Sequence, residues 1–224
     1  MVNKETEESR QLLTTNSPTL TVESLEAYQS LMIYYQSAID EVETKLKIID
    51  RELNNNEIIG RTNTIHTIQC RVKSFKSLVA KLEKRDVAFT AENASKELTD
   101  IAGIRVICAY VDDIYMVLKS LSQQADVAII EVKDYIKDPK PSGYRSVHVI
   151  LEVPVFFLKE TKYIKVEVQF RTIAMDYWAS LEHGLRYKHD VPDTTLTKRL
   201  EATATRISEL EEEMLSIRKG IEGE

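Results

Sequence analysis

The chain has 224 residues, 43% apolar and 29% charged, with a formal net charge of −6 at pH 7. That length and apolar content support one domain of ordinary size with helical extensions, and the acidic balance excludes a protein that coats nucleic acid, because counterion release needs a broad basic surface. Only Cys70 and Cys108 are present, without a CxxC or histidine pattern, and no basic-then-apolar leader or run of about 18 apolar residues is found, which excludes a disulfide framework, a zinc knuckle and a membrane span and points to a reducing cytoplasm.

Residues 1–21 are rich in Thr, Ser, Asn and Glu, and read as a disordered polar tail. From Val22 to about Leu53, apolar residues including Leu31, Tyr35, Ile39, Val42, Leu46 and Ile49 recur at three- and four-residue spacing. That is a long amphipathic helix which needs a partner surface. The link from Asn54-Asn55-Asn56 to Gly60 breaks it, and the spacing beyond predicts a second helix from about Thr64 to Arg85. A strand over Gly103 to Tyr110 leads into a helix near Val111 to Gln124 and a strand near Val127 to Asp134. After the Pro139 and Pro141 turn, two strands, Tyr144 to Val153 and Tyr163 to Phe170, are joined by a connection containing Pro154. Helices near Ile173 to Lys188 and Leu196 to Lys219 close the chain. This order predicts a single domain over residues 22–224, a mixed sheet of four or five strands covered by helices, of the α+β or α/β kind. The last helix carries Leu200, Ile207, Leu210, Met214 and Ile217 on one stripe, and residues 196–219 are expected to meet another subunit.

The strand KVEVQFRT, Lys165 to Thr172, has a chemical face. Period-two alternation sends Lys165, Glu167, Gln169 and Arg171 to one side, and Val166, Val168 and Phe170 to the core. A carboxylate, an amide and two cations in one row can hold a metal ion, a hydroxyl and phosphates together. An exposed sheet face with cross-strand charge pairs would carry the same pattern, so the other segments decide. Between Arg71 and Arg85 lie six cations against one acid, Glu83. On a helix at about 100° per residue, Lys73, Ser77, Lys81 and Lys84 share one sector opposite Val72, Phe75, Leu78, Val79 and Leu82. Such a stripe can track a polyphosphate, although solvated basic faces are common. In DYIKDPKPSGYRSVHV, Asp134 to Val149, a Pro- and Gly-rich turn precedes a strand on which Tyr144, Ser146 and His148 share a face. Tyr144 offers a surface on which a base can stack, and Lys140 and Arg145 offer charge. Asp100, just before the buried strand IAGIRV, stands where a magnesium ligand or a turn cap would stand.

Together, RVKSFKSLVAKL, LTDIAGIRVICAYVDDIY, DYIKDPKPSGYRSVH and EVQFRTIAMDYWASLEHGLRYK resemble, in order and spacing, the synthetase domain of the RelA/SpoT-homologue superfamily. The resemblance runs from about Tyr28 to Lys219 without a companion hydrolase or regulatory domain, so the chain is similar to a stand-alone small alarmone synthetase, closest to the RelP type. It implies a nucleotidyltransferase-like sheet and transfer of the β,γ-pyrophosphate of ATP to the ribose 3′-hydroxyl of GDP or GTP, giving ppGpp or pppGpp and AMP. By matching positions, Asp100 and Glu167 would hold Mg²⁺, with Glu167 also orienting or deprotonating the 3′-hydroxyl. Arg71 and Arg105 would sandwich the adenine. Lys73, Ser77 and Lys81 would hold the ATP phosphates, with Lys84 and Arg85 nearby. Tyr144 would stack on the guanine, Lys133, Lys140 and His148 would meet the acceptor's phosphates, and Gln169 would lie beside the ribose or the metal, with Arg171 in the same row. A homotetramer is implied as well.

One departure is Ser142, where many members carry Asn in the P-x-N-G-Y turn; both suit a turn and the effect should be small. Thr67 and Asp176 stand where product-activated members bind the alarmone between subunits, and Asp176 is itself negative, so product activation is expected to be weak or absent. The competing readings are another nucleotidyltransferase-like enzyme, such as one adding nucleotides to RNA, and a non-catalytic nucleotide or RNA-binding module. RNA contact is not indicated by the overall charge. An alarmone hydrolase is not expected, since the single His-Asp dipeptide, His189-Asp190, stands alone in a terminal link.

Overall fold

A computed structural model of the chain describes residues 22–55, 63–188 and 194–223. The expected polar tail, the Asn56 to Gly60 part of the first link and the His189-Asp190 dipeptide lie outside the described residues. Five strands, β1 (Ile65–Val72), β2 (Ala102–Cys108), β3 (Ala128–Asp134), β4 (Val147–Phe156) and β5 (Thr161–Thr172), form one sheet in the order β1-β2-β5-β4-β3. The central pair, β2 and β5, is parallel, and every other pairing is antiparallel. Six helices complete the described chain: α1 (Val22–Leu53), α2 (Phe75–Glu83), α3 (Ala91–Glu97), α4 (Val111–Ser122), α5 (Ile173–Lys188) and α6 (Thr194–Glu222). The sheet is therefore mixed and helix-covered, with long terminal helices, as expected.

Alternation decides which face of the sheet is dry. Val166, Val168 and Phe170 of β5, Ile104 and Val106 of β2, and Val147, Val149 and Leu151 of β4 are all sealed from solvent. Against them lie Ala38, Ile39, Val42 and Leu46 of α1 and Ile114, Val117 and Leu121 of α4 in one continuous core. The apolar stripe of α1 thus finds its partner, because the helix crosses β1, β2, β4 and β5 and also touches α4. Burying each such side chain contributes roughly 1.5 to 3 kcal/mol. One side of the sheet is committed to packing, which leaves the other free for chemistry.

Three local expectations are corrected. The predicted helix from Thr64 to Arg85 is a strand followed by a short helix. Residues 65–72 pair along β2, from Ile65 opposite Cys108 to Val72 opposite Ala102, and α2 begins only at Phe75. The ladder satisfies backbone groups that a helix would have satisfied locally, so a long-range pairing overrides the helical spacing. A further helix, α3, was not anticipated; Thr90 caps it by accepting from the Asn93 backbone N–H at 3.0 Å. Pro154 stands inside β4 rather than in a connection. It is tolerated because β3 pairs with β4 only as far as Glu152, leaving β5 as its one neighbour in the sheet.

The chain enters β4 through a turn at Gly143, whose φ of +84° is a left-handed conformation. A Cβ there would also lie 2.5 Å from the Ala204 Cβ on α6. Gly143→Ala should therefore destabilise the protein by at least about 1 to 3 kcal/mol from backbone strain alone, read as a lowered urea midpoint. An unchanged midpoint would show that neither the left-handed backbone nor the α6 contact constrains this turn.

Candidate active site

Strand register assembles the polar face into rungs. Arg71, Gly103, Glu167, Ile150 and Glu131 stand side by side across the five strands, and two residues along each strand a second rung reads Gln69, Arg105, Gln169, His148 and Lys133. A cavity of about 190 Å³ opens over them, with Arg71, Lys73, Asp100, Arg105, Glu167 and Gln169 in its lining. Gly103 leaves the floor between Arg71 and Arg105 open; a Cβ would meet only ordinary contacts there, at 3.8 Å from the Arg71 carbonyl oxygen. The site follows from the pleat, since side chains at i and i+2 of neighbouring strands point the same way.

Asp100 joins the cavity from the turn before β2. The Lys73 backbone N–H donates to Ile101 O at 2.8 Å and the Tyr28 hydroxyl donates to Lys73 O at 3.3 Å, so the end of β1 is tied beside Asp100. From there Lys73 Nζ donates to Asp100 Oδ2 at 2.5 Å, and Lys81 Nζ of α2 donates to the same oxygen. Burial works to raise the Asp100 carboxyl, but the two lysines outweigh it and hold it below its ordinary range. Burial pushes the Lys73 ammonium down, and Asp100 only partly restores it. The same balance holds at Glu167. Burial works to raise its carboxyl, and hydrogen bonds from His148 and Gln169 hold it below the usual range. Two ionised carboxylates thus face one cavity with cations on the β1 and α2 side.

On the opposite side, the Tyr144 hydroxyl lies 2.8 Å from His148 Nε2, and His148 Nδ1 lies 3.5 Å from Glu167 Oε1. Gln169 Nε2 donates to Glu167 Oε2 at 2.9 Å. Lys140 Nζ sits 4.8 Å from the Tyr144 ring centre and 4.5 Å from that of Tyr135. An aromatic platform carrying a cation therefore abuts the carboxylate. This arrangement can seat two polyanions against one acidic pair.

The profile of the family described as "Region found in RelA / SpoT proteins" matches residues 70–191. GTP pyrophosphokinase YwaC of Bacillus subtilis is 43% identical over 200 residues, covering 88% of this chain and 93% of that protein. The crystal structure of small alarmone synthetase 2 from Bacillus subtilis matches with a TM-score of 0.76 and 41% identity, over 86% of this chain and 98% of that one. Small alarmone synthetase 1 from the same organism, bound to its product pppGpp, matches with a TM-score of 0.78 and 31% identity, over 88% of this chain and 98% of that one. The chain belongs to the RelA/SpoT family. Within it, the chain is a small alarmone synthetase.

In this RelA/SpoT-family chain the expected residues fall into three groups. Arg71, Lys73, Asp100, Arg105, Glu167 and Gln169 line one cavity, Lys81 reaches it through Asp100, and Tyr144, His148 and Lys140 adjoin it. Lys133 lies next along the second rung, exposed and paired with Glu131 at 3.0 Å. The rest lie on or just after α2, each with a local contact. The Ser77 hydroxyl is 2.9 Å from that of Ser74, Lys84 caps α2, and Arg85 donates to the Glu97 carbonyl of α3. The single lysine sector is corrected as well, since Lys73 precedes α2 and converges with Lys81 only through Asp100. Ser146 does not accompany Tyr144 and His148, because β4 begins at Val147; its hydroxyl is fully buried and donates to Phe170 O at 2.9 Å.

Sequence reasoning missed Gln69, whose Oε1 accepts from Arg105 at 3.4 Å, because its segment read as helix. It also undervalued Arg171, which is 6% exposed and donates to Asp176 and to the Tyr144 hydroxyl, both at 2.9 Å. Asp176, expected at a subunit cleft, pairs within its own chain with Arg171 and with Arg105 at 3.4 Å. Its charge is already matched, so the charge argument against an anionic ligand there loses its basis.

The low Asp100 value has a sign. A carboxyl whose folded-state pKa lies below its ordinary 3.8 contributes stability above that value, and loses it as the pH falls through the folded-state value. Asp100→Asn should cost about 1 to 2 kcal/mol at neutral pH, a figure discounted because Lys81 is half exposed. It should also lose less stability than the parent between about pH 5 and pH 3. Urea unfolding at the two pH values checks this, and parallel losses would contradict it.

Proposed function

We infer that the protein transfers the β,γ-pyrophosphate of ATP to the 3′-hydroxyl of GDP or GTP, making the alarmone (p)ppGpp and AMP. The observation that carries this is the meeting of Asp100 and Glu167 in one cavity, with Lys73 and Lys81 on one side and Tyr144 and His148 on the other. It is a GTP pyrophosphokinase.

ATP lies on the β1 and α2 side. Arg71 and Arg105, two register positions apart on adjacent strands, hold the adenine between them over the Gly103 floor. Lys73 and Lys81, which neutralise Asp100 in the free protein, turn to the phosphates, with Ser77, Lys84 and Arg85 along the same approach. The donor set suits a hard cation. Asp100 and Glu167 offer carboxylate oxygens kept ionised by their neighbours, which fits Mg²⁺ completing its shell from water and phosphate. When bound, Mg²⁺ neutralises charge on the transferring phosphates.

The acceptor lies on the β4 side, with its guanine on Tyr144 and its phosphates toward Lys133, Lys140 and His148. Glu167, ionised, accepts the hydrogen bond of the 3′-hydroxyl and orients its oxygen. That oxygen attacks the β-phosphorus, the bond from the β-phosphorus to the α,β-bridging oxygen breaks, AMP leaves with that oxygen, and the hydroxyl proton passes to Glu167. No covalent enzyme intermediate is required, and positioning with charge neutralisation supplies the catalysis.

Incubation with ATP, Mg²⁺ and GDP, resolved by chromatography, tests the reading. AMP and ppGpp are expected, whereas release of inorganic pyrophosphate would indicate nucleotidyl transfer instead, and tight nucleotide binding without turnover a sensor. Glu167→Gln should keep nucleotide binding and lose at least about 100-fold in kcat. Unchanged turnover would remove Glu167 from the chemistry.

We also propose a cytoplasmic homotetramer. Among the described residues no helix is long and apolar enough to cross a membrane, and both cysteines are free. Exposed Ile173, Tyr177, Leu210 and Met214 line an apolar cavity of about 760 Å³ between α5 and α6, a surface of the kind that subunits cover. Light scattering at micromolar concentration should give four times the chain mass, and a monomer would refute the assembly.

A further inference from the structure

Resting on the role of Glu167 above, we propose that Asp176, Arg171 and Tyr144 form a strut that fixes the tautomer of His148 and so aims the Glu167 carboxylate at the acceptor hydroxyl. Asp176 and Arg171 are then positioning residues for the transfer, although neither touches the reacting atoms.

Arg171 is nearly sealed from solvent and its guanidinium has only donors to offer. Through Nη1 it donates to Asp176 Oδ1 and through Nη2 to the Tyr144 oxygen, both at 2.9 Å. The Tyr144 oxygen accepts from Arg171, and the proposed strut gives its one proton to His148 Nε2, 2.8 Å away. A neutral imidazole that accepts at Nε2 must carry its proton on Nδ1. Nδ1 is the nitrogen that faces Glu167 Oε1, at 3.5 Å. Donation therefore runs one way from Arg171 through Tyr144 and His148 to Glu167, while Arg171 also donates back to Asp176, which holds it in place. Gln169 Nε2 donates to the other Glu167 oxygen at 2.9 Å, so each carboxylate oxygen faces a nitrogen.

Asp176 anchors this chain from the first turn of α5, where a negative charge is also favoured by the helix dipole. Because it pairs with Arg105 as well, one carboxylate ties the wall assigned to ATP to the chain that reaches the acceptor side. The Tyr144 ring is not consumed by this role. Its hydroxyl serves the chain while its face remains available to a base, which makes the two functions separable by removing one atom.

Tautomer and turnover are read separately. In protein labelled with ¹⁵N-histidine, two-bond ¹H–¹⁵N spectra at alkaline pH, with His148 assigned by its absence in His148→Gln, should show the Nδ1–H form. Tyr144→Phe, which keeps the ring, should move His148 toward the Nε2–H form that free imidazole favours. It should also lower kcat about tenfold while KM for GDP changes by less than about twofold. Asp176→Ala should act in the same direction, and Asp176→Asn, which keeps an acceptor oxygen for Arg171, should restore most of kcat. An Nε2–H form in the parent protein overturns the proposal, as does an unmoved tautomer in Tyr144→Phe. If Asp176→Ala fails to fold, the nearly isosteric Tyr144→Phe decides alone. Should the parent make no alarmone, the functional reading fails while the spectra still decide the tautomer.

Discussion

Ala102 faces Val166 and Gly103 faces Glu167 across the parallel pair at the centre of the sheet, and the rest of the site hangs on that register. Parallel pairing brings the start of β2 beside the middle of β5, so the turn that carries Asp100 opens over the strand that carries Glu167. A slip of one residue would send Glu167 into the core and Val166 or Val168 into the cavity. The dry face forbids such a slip, because Phe170, Val166 and Val168 are already sealed against α1 and α4. Hydrophobic packing on one side of the sheet thereby sets chemical geometry on the other.

A second constraint is electrostatic. Lys73 and Lys81 share one oxygen of Asp100, which keeps two cations and a carboxylate together in a half-buried place before any substrate arrives. Each lysine already has Asp100 as a partner, so neither cation is desolvated alone. Glu167 is treated similarly by His148 and Gln169. The site is thus charged yet internally balanced, which is how an acidic protein can offer a strongly cationic wall to one ligand.

Much of the fold and part of the site could be read from residue order. Val166, Val168 and Phe170 alternate with Glu167, Gln169 and Arg171 strictly enough that both faces of β5 were evident, and the stripe of α1 was evident for the same reason. The segment from Thr64 to Arg85 misled because Val72, Phe75, Leu78, Val79 and Leu82 have helical spacing although β1 ends at Val72 and α2 begins at Phe75. Arg85 and Ser77 share one basic run with Lys81, yet their side chains meet Glu97 and Ser74 while Lys81 reaches Asp100. Nothing in a linear pattern distinguishes a cation that faces a cleft from one that faces a neighbouring helix.

By itself the sequence determined the alternation of strands and helices, the inward and outward sides of each strand, and the residue types available for chemistry, because these depend on spacing and composition within short windows. The tertiary structure alone decided that residues 65–72 form an edge strand, that Lys73 and Lys81 meet at Asp100, and that Arg171 links Asp176 to Tyr144. Those facts depend on partners as distant in the chain as Lys73 is from Asp100 or Tyr144 from Arg171, and only the pairing of strands and the packing of helices brings such partners within hydrogen-bond reach.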